Sequence, residues 1–150
     1  MAEIRRAVGA DVPAIAACVR AAYEMYVPRM GMRPAPMDAD HAARVAAGQT
    51  YVLTSEDAVA GLIVLVPEDG DLLVENVAVH PSHQGHGYGR VLMEFAERRA
   101  RETGAGSLTL YTHEFMTENQ RIYTRLGYTE TTRRTEHGFA RVFMAKPLSR

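Results

Sequence analysis

Residues 76–92 read NVAVHPSHQGHGYGRVL, and this stretch decides the fold. An apolar run of β type ends at His80 and Pro81, glycines follow at positions 85, 87 and 89, and an apolar helical pattern then begins. A helix N-terminus carries unpaired N–H groups and a positive dipole end, and glycine lets the backbone approach a phosphate without a Cβ in the way. The stretch therefore predicts a binding site for a phosphate-bearing ligand.

Two common phosphate motifs are absent from this stretch. The dinucleotide fingerprint needs a third glycine where Arg90 stands, and the mononucleotide loop needs a Gly-Lys pair, whereas the chain's single lysine is Lys146. The pattern that remains is Gln84-x-x-Gly87-x-Gly89 between a strand and a helix. It resembles the signature of the GCN5-related N-acetyltransferase (GNAT) superfamily, in which this loop holds the pyrophosphate of acetyl-CoA. Glycines alone could form a flexible turn, but the order strand, proline, glutamine, glycines, helix favours the family.

A second patch, NQRIYTRLGY at residues 119–128, resembles the family's last helix and the turn after it. There Asn119 would contact the pantetheine arm and the hydroxyl of Tyr123 would lie near the thioester sulfur, while Tyr128 takes the place of the aromatic that follows the helix-ending glycine. The resemblance spans residues 72–148, about half the chain. It implies acetyl-CoA as the acetyl donor, CoA as product and no metal, although His80, His83 and His86 lie three apart.

The resemblance also implies which residues bind the cofactor. The strand 77–79 would pair its free backbone groups with the pantetheine amides, and the loop and Asn119 would hold the rest. The residues are Val77, Ala78, Val79, Gln84, Gly85, His86, Gly87, Tyr88, Gly89, Arg90 and Asn119. Arg90 could add a charge contact to phosphate or simply be a solvated first-turn arginine.

Acetyl transfer to an amine needs a base for the amine's proton and benefits from an acid for the leaving thiolate. Tyr123 is the predicted acid by family position; its alternative is a packing role. Glu75 is the predicted base, because it interrupts an apolar strand, where a carboxylate must be paired or shifted in pKa. Two-residue periodicity places it on a face with Leu73, Val77 and Val79, opposite Asn76. The alternatives are a water relay, or a Glu75 paired with an arginine from a neighbouring strand.

The acceptor amine is predicted to bind between residues 23–37 and 133–139. The candidate contacts are Tyr26, Arg29, Met32, Arg33 and His113, in which the arginines could hold a carboxylate and His113 could assist as a base. Coverage of the core or a dimer contact explains the loop residues equally well. The sequence does not identify the acceptor, which is a small molecule or a protein amino group.

Composition agrees with a single acetyltransferase domain over residues 1–150. The chain is 47% hydrophobic and 23% charged with a formal net charge of -1, so no nucleic-acid or membrane partner is expected. The single cysteine, Cys18, and the lack of an N-terminal signal pattern favour the cytoplasm. Homodimers are frequent in the family, and the sequence does not decide the oligomeric state.

Local patterns predict an α/β fold, a mostly antiparallel twisted sheet of six to seven strands with a splayed central pair and about four flanking helices. Strands are expected at 2–8, 50–54, 59–66, 72–79, 108–112, 128–134 and 139–145. Helices are expected after Asp11, at 38–47, from the glycine loop to 102, and at 118–126, while the proline-rich segment 27–37 is expected to be a loop.

Two functions remain open from the sequence. The first is an N-acetyltransferase that moves the acetyl group of acetyl-CoA to a primary amine by direct attack in a ternary complex. The second is a non-catalytic module that binds or senses acyl-CoA on the same fold. The joint presence of Glu75, Asn119 and Tyr123 favours the enzyme.

Overall fold

The computed structural model describes residues 2–148, and within them one mixed sheet has the strand order β1-β2-β3-β4-β5-β7-β6. Its strands are β1 (Ala2–Arg6), β2 (Thr50–Ser55), β3 (Ala58–Glu68), β4 (Asp71–Val79), β5 (Ser107–His113), β6 (Thr129–Glu136) and β7 (Phe139–Pro147). Every neighbouring pair is antiparallel except β4 and β5, which are parallel. This confirms the predicted α/β architecture.

Five α-helices accompany the sheet within residues 2–148, joined by three short 3₁₀ turns. They are α1 (Val12–Tyr23), α2 (Tyr26–Met30), α3 (His41–Ala46), α4 (Tyr88–Thr103) and α5 (Thr117–Arg125). Helix α4 ends close to the predicted residue 102 and stops at Gly104, whose φ of 77° is the left-handed geometry that glycine adopts readily. No helix in this range is long and apolar enough to cross a membrane.

One prediction about the helices is wrong. The segment 27–37 was expected to be a loop because of its prolines, but α2 occupies Tyr26–Met30 and a 3₁₀ turn occupies Ala35–Asp38. Pro28 lies in the first turn of α2, where no intrahelical N–H bond is required of it, so it does not break the helix. Gly31 then ends α2 in the left-handed region.

The two faces of the sheet are buried by different helices. On one face, Leu92 and Ala96 of α4 pack against Ile63 and Leu110 in the larger apolar cluster. On the other face, Ile15, Cys18 and Val19 of α1 and Val45 of α3 pack against Val52, Leu62 and Ala78. Cys18 is buried in this second cluster, as expected for a small core side chain.

Strand β4 parts from β5 halfway along its length, and this opening creates the site. The two strands are paired only from Leu72 to Val74 on β4 and from Leu108 to Leu110 on β5. Just beyond that point the register of β4 against β3 shifts, because Val74 and Asn76 face Leu65 and Val64 and leave Glu75 as an extra residue. The predicted splayed pair is thus accompanied by a β-bulge at Glu75.

The bulge overturns the predicted face of Glu75. Strict alternation placed Glu75 with Val77 and Val79 and opposite Asn76, but Val77 and Val79 pack on the α4 face. Glu75 instead bonds Arg44 of α3, and Asn76 bonds Tyr23 of α1, so both project toward the α1 and α3 face. An extra residue in a strand breaks the two-residue period, and the sequence pattern carries no sign of it.

Candidate active site

The splay between β4 and β5 exposes backbone hydrogen-bonding groups of β4. The N–H of His80 bonds the carbonyl of Ala60 at 2.8 Å, which fixes 80/60 as a hydrogen-bonded pair of the β3–β4 ladder. Alternation then turns Asn76 and Ala78 toward β3 and turns the N–H groups of Val77 and Val79 toward the opening. Two adjacent donors on a splayed strand can pair with the amides of an extended ligand, as the resemblance implied.

The glycine loop lies at the end of this opening. Gly85 has a φ of 89° and Gly87, the residue that precedes α4, has a φ of 75°. A Cβ at either position would meet nothing within 4 Å, so the left-handed backbone rather than crowding makes glycine suitable there. The first helical bond of α4 runs from Val91 to Gly87, which leaves the N–H groups of residues 88–90 available to an anion.

A cavity of about 1060 Å³, counting its open mouth, joins the loop to the splay. Most of the predicted cofactor residues line it: Val77, Ala78, Val79, Gln84, Gly85, Gly87, Tyr88, Gly89 and Asn119. His86 and Arg90 do not line it, and Arg90 is exposed and lies 4.0 Å from Glu94 one turn along the helix. We call this space the cofactor cavity.

A second cavity, of about 550 Å³ with its mouth, lies on the far side of the same opening between β4, β5 and β7. Four residues line both cavities and therefore mark where they meet: Tyr23, Val77, Asn119 and Tyr123. We call the second space the acceptor cavity. The predicted acid and the predicted pantetheine contact thus lie together at the junction.

Tyr123 presents a protonated hydroxyl at this junction. Burial, with a smaller contribution from the nearby Tyr26, raises the pKa of its hydroxyl to about 12, so the hydroxyl stays protonated at neutral pH. Among residues 2–148 no group hydrogen-bonds that hydroxyl, while the ring packs edge-on against Tyr128 at 6.0 Å between centroids. Asn119 is similarly available, since its amide donates only to the thioether of Met116 at 3.7 Å.

Glu75 lines the acceptor cavity, but its carboxylate is already paired. Nε and Nη2 of Arg44 bond its two oxygens at 2.8 Å and 2.6 Å, and the side chain of Glu75 is 21% exposed. The alternative of an arginine partner is therefore realised, although the arginine comes from α3 and not from a neighbouring strand. The two bonds to Arg44 leave a second lone pair on each oxygen of Glu75, so the carboxylate can still accept a further hydrogen bond, directly or from a bridging water.

Asn76, next to Glu75, is held by a tyrosine that the sequence did not single out. The hydroxyl of Tyr23 lies 3.0 Å from Oδ1 of Asn76 and 3.0 Å from the carbonyl oxygen of Val77. One hydroxyl proton serves one of these acceptors well, so the consistent arrangement turns the amide of Asn76 over. Its nitrogen then donates to Tyr23, Tyr23 donates to Val77, and the amide oxygen of Asn76 faces the cavity as an acceptor.

His113 is in the acceptor cavity, as predicted, but its geometry does not suit a base. Burial lowers the pKa of the imidazole, which is therefore neutral near pH 7. Its Nδ1 accepts the backbone N–H of Phe115 at 3.1 Å, so the ring proton resides on Nε2. The lone pair is thus occupied, and His113 presents an N–H donor to the cavity.

The other four predicted acceptor contacts do not line the acceptor cavity. Tyr26 lines the cofactor cavity. Arg29 bonds both oxygens of Glu118 at 2.8 Å, and Arg33 bonds Asp38 at 3.0 Å, so both guanidinium groups are neutralised by partners. Met32 is 38% exposed and lies beside Gly138. Met30, Pro34 and Pro36 of the same segment line the cavity instead.

A match to a protein-family model identifies the family to which the chain belongs. The model described as the acetyltransferase (GNAT) family matches residues 17–128, most of the chain and all of the splayed region. The chain belongs to the GNAT acetyltransferase family. The resemblance seen in the glycine loop and in residues 119–128 is confirmed.

Individual relatives support the family assignment. The PaiA N-acetyltransferase from Thermoplasma acidophilum, in complex with coenzyme A, has the same fold, with a TM-score of 0.83 at 15% identity and 99% of both chains covered. Nourseothricin acetyltransferase has a TM-score of 0.73 at 26% identity, with 97% of this chain and 98% of that one covered. Streptothricin acetyltransferase of Streptomyces lavendulae is 36% identical over 49% of this chain, which spans about half (47%) of that relative's length.

The GNAT fold also brings to the site residues that sequence reasoning missed. These are Tyr111 of β5 and Arg141 of β7, which line the acceptor cavity together with Phe139 of the predicted segment 133–139. The guanidinium of Arg141 lies 4.3 Å from the ring centre of Tyr111 and 5.6 Å from that of Phe139. His113 of β5 and Arg141 of β7 are register partners. The sequence pattern of each strand does not reveal this pairing, because it does not show which strands are neighbours.

Proposed function

We propose that this protein is an N-acetyltransferase that moves the acetyl group of acetyl-CoA to a primary amine by direct attack in a ternary complex. The observation that carries the proposal is the shared wall of the two cavities, where Tyr123 and Asn119 face both spaces. A donor thioester in one cavity and an amine in the other meet at that wall. No covalent enzyme intermediate is needed, and the one cysteine is buried in the core.

The described residues fit acetyl-CoA. The free N–H groups of Val77 and Val79 suit the amides of a pantetheine arm, and the N-terminus of α4 with Gly85 and Gly87 suits a pyrophosphate. The PaiA structure holds coenzyme A on a chain of the same fold, which supports this use. Within residues 2–148 no group of three or more metal-ligating side chains is found.

Bound acetyl-CoA would supply an activated acyl group. In the transfer, a bond forms between the amine nitrogen and the acetyl carbon, the carbon–sulfur bond breaks, the amine loses one proton and the thiolate gains one. Tyr123 supplies a proton at the junction, since its hydroxyl is protonated at neutral pH. The carboxylate of Glu75, through water, would take the amine's proton, and the amide of Asn76 would hydrogen-bond the amine without removing its proton.

A non-catalytic acyl-CoA-binding module is the second candidate. It would need the cofactor cavity alone, whereas here the acceptor cavity opens onto the same junction. That second space favours the enzyme. The relatives matched in sequence and fold are named as acetyltransferases, which supports the same choice.

The first experiment is the melting temperature with acetyl-CoA, free CoA, ATP or NAD. At about one hundred times its dissociation constant a native-state ligand adds roughly 2.7 kcal/mol, a rise of about 5–10 °C for a domain of this size. We expect both CoA species to raise the melting temperature, with no rise from ATP or NAD. Thiol release is then measured with a panel of primary amines. Binding without release for any amine would favour the binding module.

A further inference from the structure

Two charged side chains of opposite sign line the acceptor cavity, Glu75 and Arg141, and they differ in how completely each is paired with other residues. Both carboxylate oxygens of Glu75 accept hydrogen bonds from Arg44, and Arg44 does not itself line the cavity. Arg141 is bonded to one carboxylate through Nη1 alone, at 3.1 Å from Glu136. Arginine has five N–H donors, so most of the donors of Arg141 have no side-chain partner among residues 2–148.

The partner of Arg141 is itself shared. Glu136 also bonds Nε of Arg134 at 3.0 Å, so one carboxylate serves two guanidinium groups. Glu68 and Glu114 are exposed and do not line the acceptor cavity, although Glu68 lines a neighbouring cavity together with Arg141 and Glu136. Of the two charged side chains that line the acceptor cavity, Glu75 is closed in its pair with Arg44, and Arg141 is the one that is incompletely paired.

The position of Arg141 suits a bound anion. Its side chain is only 14% exposed, and the rings of Tyr111 and Phe139 flank the guanidinium and hold its plane. A planar guanidinium held in this way binds a carboxylate with two parallel hydrogen bonds more readily than a mobile lysine would. Part of the wall is apolar, with Met30, Pro34, Val74 and Leu110.

We propose that the acceptor is a small amino carboxylic acid, a primary amine on a compact apolar body whose carboxylate is bound by Arg141. This inference rests on the proposed function and names its substrate class. The amine lies at the junction beside Asn76 and Tyr123, and the carboxylate lies toward β7. A polycationic acceptor is disfavoured, because its further ammonium groups would meet an incompletely paired guanidinium and no free carboxylate in the cavity.

The test compares matched amines on the wild-type protein. Each series contains an amino acid, its carboxamide and its decarboxylated amine. Leucine and phenylalanine supply the apolar side chains, and 3-aminopropanoate and 4-aminobutanoate supply a longer spacing between amine and carboxylate. Spermidine is tested separately as a polycation. We expect kcat/KM to favour the carboxylate member of the preferred series by about 10- to 100-fold. The amine of a carboxamide is less basic and more of it is neutral at pH 7.5, so amine reactivity alone predicts the opposite order.

Variants then assign the preference to Arg141. Arg141→Gln should remove the preference by raising KM for the carboxylate acceptor much more than KM for the matching carboxamide. Arg133→Gln is the matched control, since Arg133 bonds Glu130 rather than Glu136 and does not line the cavity, and it should keep the preference. Glu136→Gln should lower KM for the carboxylate, because it frees Arg141.

The two levels of proposal fail differently. Turnover of carboxamides, decarboxylated amines or spermidine at least as fast as of the amino acids would overturn the amino-acid assignment and leave the acetyltransferase standing. Thiol release with none of the amines, despite a CoA-dependent rise in melting temperature, would overturn the proposed function itself. A retained preference in Arg141→Gln would also remove Arg141 from acceptor binding.

Discussion

The hydroxyl of Tyr23 lies 3.0 Å from the amide of Asn76 and 3.0 Å from the carbonyl of Val77, and so ties α1 to the strand that forms the junction. Burial raises the pKa of this phenol, which remains a neutral donor. The bond to Val77 also occupies a carbonyl that faces the splay. Tyr23 thereby orients both the main chain that meets the cofactor and the side chain that meets the acceptor.

Tyr23→Phe should therefore weaken the positioning of both the main chain at Val77 and the side chain of Asn76. A buried partner left unpaired costs about 1–3 kcal/mol, and a chain of this size loses about 2–4 °C in melting temperature for each kcal/mol. KM for the acceptor should rise as Asn76 loses its orientation. Tyr51→Phe is the control, because the hydroxyl of Tyr51 bonds Arg6 at 3.0 Å, far from the cleft. Equal effects of the two variants on KM would show that Tyr23 serves stability alone.

Tyr123→Phe removes the proton donor at the junction and leaves the ring. We expect kcat to fall by at least about tenfold, toward the 100-fold typical of a lost general acid, with the dissociation constant of acetyl-CoA unchanged. Tyr128→Phe should leave kcat intact, since Tyr128 is buried beside Tyr123 but lines neither cavity. Single-turnover rates measure the chemical step. Unaltered rates in Tyr123→Phe would exclude it as the acid.

Substituting Glu75 and Arg44 one at a time distinguishes a catalytic base at Glu75 from a purely structural ion pair. Glu75→Gln and Arg44→Gln each break the ion pair and should lower stability, and Arg44→Gln also loses the bond of Arg44 to Gln49. If Glu75 receives the amine's proton, kcat falls by about 100-fold in Glu75→Gln and much less in Arg44→Gln, which keeps the carboxylate. Equal losses of kcat in the two variants would assign Glu75 to structure and leave the proton to water.

Gly87 and Gly104 are the left-handed residues at the two ends of α4 and provide a matched pair. Their φ values are 75° and 77°, and a Cβ at either would meet nothing within 4 Å. Alanine at each should cost about 1–2 kcal/mol through backbone strain alone. Only Gly87→Ala should weaken acetyl-CoA binding, by calorimetry, since only Gly87 lines the cofactor cavity. Equal affinities in the two variants would contradict the loop assignment.

His113 predicts a pH dependence of stability. Burial lowers the pKa of its imidazole below the ordinary 6.5, so the folded state holds the neutral form and binds fewer protons than the unfolded chain. Its contribution is complete above the unfolded pKa and is lost as pH falls below about 6.5. Urea unfolding from pH 7.5 to 5 should show a smaller loss in His113→Gln than in wild type. His137→Asn, at an exposed turn, should leave the slope unchanged.

The sequence predicted most of the elements and most of the residues that line the cofactor cavity. Their signals are local: the strand, Gln84 and the glycines of residues 85–89 are contiguous, and Asn119 and Tyr123 lie one helical turn apart on α5. Backbone conformation and helix termini depend on neighbours in the chain, so a pattern of a few residues was enough to predict which residues would come together there.

The acceptor side was decided only by the tertiary structure. The bulge at Glu75 arises from a register shift between β3 and β4. Arg44, which pairs with Glu75, lies on α3, 31 residues away in sequence. Arg141 reaches the cavity because β7 is the strand next to β5 in the sheet. Arg29, which the sequence offered as a carboxylate ligand, is neutralised by Glu118, 89 residues away. The charge available to a ligand is what remains after every long-range ion pair has formed, and only the fold sets those pairs.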